Sequence, residues 1–295
     1  MKKKKYGTGD IIFEVFLILF LVIFVLVTLY PILNTLALSF NDGFDALVHK
    51  IHLIPHSFTL DNYKAVFAKE GYKVGAVNTV LRTVLGTLIS LAVNAVLAYV
   101  ISRKRFLFKK SFSLFWVITM YVNGGLIPTY IVYQKLGLTN SFWVYIIPGA
   151  VSAFNMLVIR NYMNGIPDSL EESAQIDGAG YFKIFIDIIS PLCKPVYATI
   201  ALFVAVYQWN AWFDAMLYNK MHEEYTVVQY ELMKQLLTAM KSAGSVEGLK
   251  NSGTSITPNS IRAAATILTM LPIVMIYPFL QRYFVTGLTI GGVKE

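Results

Sequence analysis

Long apolar runs alternate with short polar stretches along the whole chain. The first run, at roughly 11–37, is interrupted only by Glu14, Pro31 and a few hydroxyl and amide side chains. It exceeds the roughly 20 residues that a helix needs to cross a hydrocarbon core. Pro31 is expected to kink it near its outer end. Five further segments reach spanning length, at roughly 75–101, 112–133, 142–163, 193–217 and 260–284. The pattern predicts an all-α integral membrane protein with six transmembrane helices. They form a single domain over 11–295 behind a basic N-terminal stretch, 1–10. No small-residue cleavage site follows the first run, which is too long for a signal segment, so it is read as a retained span.

Composition agrees. Of 295 residues, 56% are hydrophobic and 14% charged, against about 25% charged in soluble domains. Most of the surface is expected to face lipid. The net charge of +8 does not point to nucleic acid, because the basic residues gather at the ends of apolar runs and build no basic face with interleaved aromatics. The lone cysteine, Cys193, can form no intrachain disulfide and reads as a small buried side chain.

Lysine and arginine in short flanks orient the spans. Lys2, Lys3, Lys4 and Lys5 precede the first. Arg103, Lys104, Arg105, Lys109 and Lys110 lie between the second and third, and only Lys135 lies between the third and fourth. Both termini are therefore expected in the cytoplasm, with the long loops 38–74 and 218–259 outside and the segment 160–192 inside.

That inner segment carries the acidic insert Glu171-Glu172-Ser173-Ala174-Gln175-Ile176-Asp177-Gly178-Ala179-Gly180. Pro167 ends the preceding segment. Ser169 is expected to cap a short helix, with Glu172 closing a capping box, and Gly178 and Gly180 to stop it. A second, apolar helix, Tyr181 to Ile189, is expected to end at Pro191. Small residues at Ser173, Ala174, Gly178 and Ala179 would let another protein approach closely; an ordinary solvated loop is the alternative.

Glu172-Ser173-Ala174, Gly178, and then Ile188, Ser190 and Pro191 resemble the cytoplasmic coupling motif of ATP-binding-cassette importer permeases. That motif is Glu-Ala-Ala, a glycine four residues on, and Ile-x-Leu-Pro. Ser173 replaces the middle alanine and Ser190 the leucine. The resemblance covers nearly the whole chain. Asn78-Thr79 opens span two, and Ala98-Tyr99 with Arg103 closes it. Gly124-Gly125-Leu126-Ile127-Pro128 and Leu136-Gly137-Leu138 bracket the outer end of span three. Ile176-Asp177-Gly178-Ala179, Trp209-Asn210 and the tail Gly287-Leu288-Thr289-Ile290-Gly291-Gly292-Val293-Lys294 follow the sugar-importing branch.

The resemblance implies the six-helix type I importer fold and a place in the cell membrane as the second permease of a maltose-type system, in an oligosaccharide subgroup. It implies a homologous permease partner, two cytoplasmic ATPase subunits that bind ATP and magnesium, and an extracellular solute-binding protein; this chain itself would bind no cofactor. It further implies ATPase contacts along Glu171, Glu172, Ser173, Ala174, Asp177, Gly178 and Ala179, with Glu172 pairing with a basic residue of the ATPase. A loop like 244–253, with Gly244, Gly248, Asn251 and Gly253, reaches the binding protein in similar permeases; an idle surface loop is the alternative. The tail, 286–295, would reach the ATPase or simply fray.

Polar groups within spans are costly against lipid. Asn78, Arg82, Gly86, Ser90 and Asn94 recur every fourth residue, as pathway lining or as helix-packing glue. Asn123, Asn155, Gln208, Asn210 and Asp214 are similar pathway candidates. Tyr121, Tyr207, Trp209 and Trp212 could stack on sugar rings or sit at the interface.

No Ser/His/Asp constellation lies at membrane depth, and no phosphate-cradling Gly-Lys-Ser/Thr motif occurs. An enzyme is therefore not expected. His49, His52, His56 and His222 fall in outer loops; Pro55 and its apolar neighbours argue against a metal centre there. An importer of another solute class and a stand-alone secondary transporter are the alternatives; the latter usually shows internal repeats, and none is evident.

Overall fold

A computed structural model describes residues 7–242 and 256–290. Lys2 to Lys5, the loop residues Gly244, Gly248, Asn251 and Gly253, and Gly291 to Glu295 lie outside the described residues. The described residues are helical or irregular, and their one extended pairing is an isolated bridge between Asn41 and Phe58. The chain divides into two units, 1–69 with 234–270 and 70–233 with 271–295.

In the first unit, α1 (Thr8–Ser39) runs unbroken through Pro31. Its residues 9–33 are all exposed. A helix apolar all round and without protein cover needs an apolar surrounding. Two short helices follow, α2 (Asp45–Val48) and α3 (Asp61–Ala68). Buried Asn62 ties them to the end of α1, its Nδ2 donating to the carbonyls of Ser39 (3.0 Å) and Asn41 (2.8 Å). The last described helix, Pro258–Ile290, begins with proline in its first turn, and Thr257 Oγ1 accepts from Ser260 N at 3.2 Å. Both features favour a helix start there.

The second unit is organised on α4 (Glu70–Ser102), against which α7 (Ala153–Asn164) and the helix Lys194–Asn210 pack. The four-residue stripe of α4 is its packing seam. Asn78, Arg82, Gly86, Ser90 and Asn94 are all buried. The core beneath it joins Ala98, Ile101, Met156, Ile159, Ile184, Cys193 and Ile200. Cys193 is fully buried, as its chemistry suggests.

Three of the expected spans are continuous helices long and apolar enough to cross a membrane: Gly9–Ser39, Glu70–Ser102 and Pro258–Pro278. The third is broken. α5 (Lys109–Tyr121) and α6 (Leu126–Lys135) meet at 116°. Asn123 Oδ1 accepts from Gly125 N at 2.8 Å, and Gly125 has φ +89°, a turn that an α-helix cannot contain. The fourth expected span, 142–163, is α-helical only over Ala153–Asn164. Twelve residues rise about 18 Å, short of a core about 30 Å thick. A 3-10 turn, Phe142–Tyr145, precedes it, and Pro148-Gly149 separates the two. The fifth, 193–217, is one helix only over Lys194–Asn210, which meets the preceding inner helix Tyr181–Leu192, with its π turn at Phe185–Ile189, at 80°. The break falls at Cys193, so Pro191 lies inside the last turn of the first piece. With each bent pair taken as one span, the count among the described residues reaches five. The expected loop 218–259 includes a helix, Val228–Ser242.

Candidate functional site

The acidic insert forms α8 (Asp168–Ile176). Its start differs from expectation. Pro167, with φ −59° and ψ 131°, is the N-cap, and no side chain caps the helix. Ser169 falls inside the first turn, where its carbonyl accepts from Ser173 Oγ at 2.9 Å. This earlier start places Asp168 and Glu171 in the first turn, where the helix dipole favours negative charge. Each meets a cation from the end of α4. Glu171 pairs with Arg103, both side chains nearly buried, and Asp168 pairs with exposed Lys104. Lys104 holds the Asp168 carboxyl below its usual range, and Asp168 in turn raises Lys104. Arg105 Nη1 donates to Tyr181 Oη at 3.2 Å, and the Arg103 guanidinium lies 4.9 Å from the Tyr99 ring centre.

The end of α8 matches the sequence reading. Gly178 has φ +81°. Its N–H donates to the Gln175 carbonyl (3.0 Å), and that of Ala179 to the Ala174 carbonyl (2.9 Å). This pair of bonds is the Schellman closure. Ala174 is buried and Ala179 packs against the same core, so both face their own chain. Ser169, Glu172, Ser173 and Ile176 recur at the spacing of one helix face and are all exposed; Ile176 is 87% exposed. Glu172 makes no hydrogen bond or ion pair with the described residues. Asp177 and Gly178 continue this exposed surface.

Within the same unit, a cavity of about 770 Å³ is lined from α4, α6 and the 206–218 segment. Arg82, 1% exposed, is its fixed point. Its guanidinium donates to both oxygens of Asp214 (3.2 and 2.5 Å), to Gln208 Oε1 (3.0 Å) and to the Ala211 carbonyl (3.3 Å), and lies 4.3 Å from the Tyr145 ring centre. Gly86 makes room for Gln208: a Cβ there would stand 2.7 Å from its Nε2. Asn123, Tyr207, Asn210 and Trp212 are the other predicted residues on this wall. Asn210 Oδ1 accepts from Gln229 Nε2 at 3.3 Å.

Other predicted positions lie elsewhere. Asn155 lines a smaller neighbouring cavity of about 330 Å³, and Tyr207 lines both. Asn78 donates to the carbonyls of Glu224 and Thr226, and Asn94 to those of Ser90 and Ala150, so both hold backbone in place. Tyr121 is 84% exposed at the end of α5, and Trp209 lines neither cavity. The cavity adds aromatics that sequence reading did not single out: Tyr133, Phe213 and Tyr218. Tyr218 stacks on Tyr130 with ring centres 5.8 Å apart. After the break of the third span, α6 carries Tyr133 to the cavity, and the Asn123-Gly124-Gly125 stretch was the signal for that break.

Comparison with known proteins places this geometry. No family model matches the chain. It is 33% identical over 283 residues to the polygalacturonan/rhamnogalacturonan transport system permease protein of Bacillus subtilis, covering 96% of this chain and 98% of that one. It is 32% identical to the galactooligosaccharides transport system permease protein of the same organism, covering 100% and 98%. Among solved structures it superposes on a chain of a bacterial ABC transporter involved in the import of the acidic polysaccharide alginate. The TM-score is 0.86 at 30% identity, with 96% of this chain and all of that one covered. The chain belongs to the permease family of carbohydrate ATP-binding-cassette transport systems.

Proposed function

We propose that this chain is one of two permease subunits of an ATP-driven oligosaccharide importer and that α8 is its coupling helix. The observation that carries the reading is the outward face of α8. A helix closed by a Schellman turn and tied to α4 through two ion pairs presents an unpaired carboxylate, Glu172, beside an almost fully exposed isoleucine, Ile176. Covering an isoleucine contributes about 2 kcal/mol to a docked interface. A carboxylate beside it selects a basic partner. The receiving surface is a cleft on a cytoplasmic ATPase, and Asp177, Gly178 and Ser173 lie at the edge of the contact. Because Arg103 and Lys104 tie α8 to the end of α4, a push on α8 reaches the long helix directly.

In this reading the membrane is crossed six times, with the fourth crossing made by the composite segment 142–163 and both termini in the cytoplasm. The sugar pathway passes the cavity around Arg82 and Asp214. Those two charges neutralise each other, so the wall offers a sugar amides, hydroxyls and aromatic faces, with no unpaired cation. A homologous permease completes the pathway, two ATPase subunits supply the chemistry, and an extracellular solute-binding protein delivers the sugar. The test is uptake of a labelled oligosaccharide into proteoliposomes holding the assembled complex with its binding protein. ATP-dependent uptake supports the reading; uptake driven by an ion gradient without ATP overturns it.

A further inference from the structure

The first unit contains a cluster outside the transport machinery described above. Asp45, at the start of α2, His49, just past its end, and His56 each offer a ligand atom, and no pair of these atoms is more than 4.8 Å apart. Asp45 Oδ1 lies 2.8 Å from His49 Nδ1, and the rings of His49 and His56 stack with centres 5.6 Å apart. The ring of His56 makes no hydrogen bond with the described residues.

Fully buried Asn41 builds the scaffold. Its Nδ2 donates to Asp45 Oδ2 at 2.9 Å, and its Oδ1 accepts from the backbone N–H groups of His56 (2.8 Å) and Ser57 (2.9 Å). One amide thus fixes the carboxylate from one side and the backbone of the second histidine from the other. Such a hydrogen-bonded outer partner is what orients a metal-ligating carboxylate. His52, between the two histidines, is turned away to Tyr30 Oη at 2.8 Å. Pro55 and its apolar neighbours argued against a metal centre among these histidines, but the chain reversal brings His49 and His56 together and adds Asp45.

We propose that Asp45, His49 and His56 form a binding site for a divalent transition metal of the zinc class. Two imidazoles and one carboxylate are a three-ligand set that zinc accepts, with the fourth position left to water. At bond lengths of about 2.0 Å, tetrahedral ligand atoms stand about 3.3 Å apart. The observed spacing needs only small ring rotations, and both histidines are exposed and free to make them. The ion would clip the Asp45–His49 turn to the segment starting at His56 and close the loop between them.

The test is titration of the full-length protein, purified in detergent without a histidine tag, with Zn²⁺ by calorimetry and with Co²⁺ by visible absorption. The expected result is saturable binding of one ion, weakened tenfold or more, the scale on which even outer-shell changes act, in both His49→Ala and His56→Ala. Binding should be unchanged in His52→Ala and His222→Ala, with all variants eluting as the wild type does. No saturable binding, or binding that survives loss of His49 and His56, overturns the proposal.

Discussion

Arg103, one residue past the end of α4, and Glu171, in the first turn of α8, form an ion pair with side chains only 13% and 12% exposed. The adjacent glutamate, Glu172, is exposed and takes no part in it. Two neighbouring carboxylates therefore carry separate roles, one holding α8 to its own chain and the other facing outward. Glu171→Ala leaves Arg103 without its carboxylate partner and should cost about 1–3 kcal/mol, the scale of a hydrogen bond to a charged group. Thermal melting of the purified protein reads this as a lowered midpoint, which Glu172→Ala should not show.

Gly178 closes α8 at φ +81°, and a Cβ there would meet no atom within 4 Å. The cost of substitution is thus conformational and not steric. Gly178→Val should destabilise by about 1–2 kcal/mol, whereas Gly178→Asn, which tolerates the left-handed region, should cost less. Comparing the two melting midpoints checks the order.

Arg82 and Asp214 should behave as a unit. Removing either partner leaves the other's charge uncompensated; a fully buried pair would lose about 3–5 kcal/mol, and the 23% exposure of Asp214 lowers the expected loss below that range. Arg82→Met with Asp214→Leu should be closer to wild type than either single change. A double-mutant cycle in melting midpoints measures the coupling; additive losses would mean that the two residues act independently.

The exposed pair Lys104–Asp168 predicts a pH dependence. The lowered Asp168 carboxyl makes its contribution fully present above its ordinary value of 3.8, and the contribution is lost as pH falls through the lower folded value. The raised Lys104 keeps its share below 10.5 and loses it only as pH rises through the higher folded value. The melting difference between wild type and Asp168→Asn should therefore be flat from about pH 6 to 9, shrink in acid, and shrink with added salt.

Much of this was legible in the chain. The long apolar runs at 11–37 and 75–101 became α1 and α4, because nothing competes with helix in a segment that cannot expose backbone to lipid. Gly178 was legible as a stop because only a left-handed residue closes a helix that way. The breaks at Asn123-Gly124-Gly125 and Pro148-Gly149 were written in turn residues, but hydropathy averages over them and counted whole spans. The start of α8 was misplaced onto Ser169 because the cations that reward an acidic first turn, Arg103 and Lys104, come from the distant turn that follows α4. The stripe on α4 was recognisable as costly polar surface, yet Asn78 and Asn94 spend their amides on backbone carbonyls, which no side-chain pattern reveals. The Asp45, His49 and His56 grouping depends on a chain reversal held by Asn41.

The central claim is that the outward face of α8 transmits ATPase motion, with Glu172 as its charged contact. The most direct measurement is ATP-driven sugar uptake by the assembled complex carrying Glu172→Ala, at matched levels in the membrane and with the melting midpoint recorded alongside. Uptake should fall at least about tenfold, the equivalent of one lost interaction of about 1.4 kcal/mol, while the midpoint stays at the wild-type value. Wild-type uptake in that variant would contradict the account.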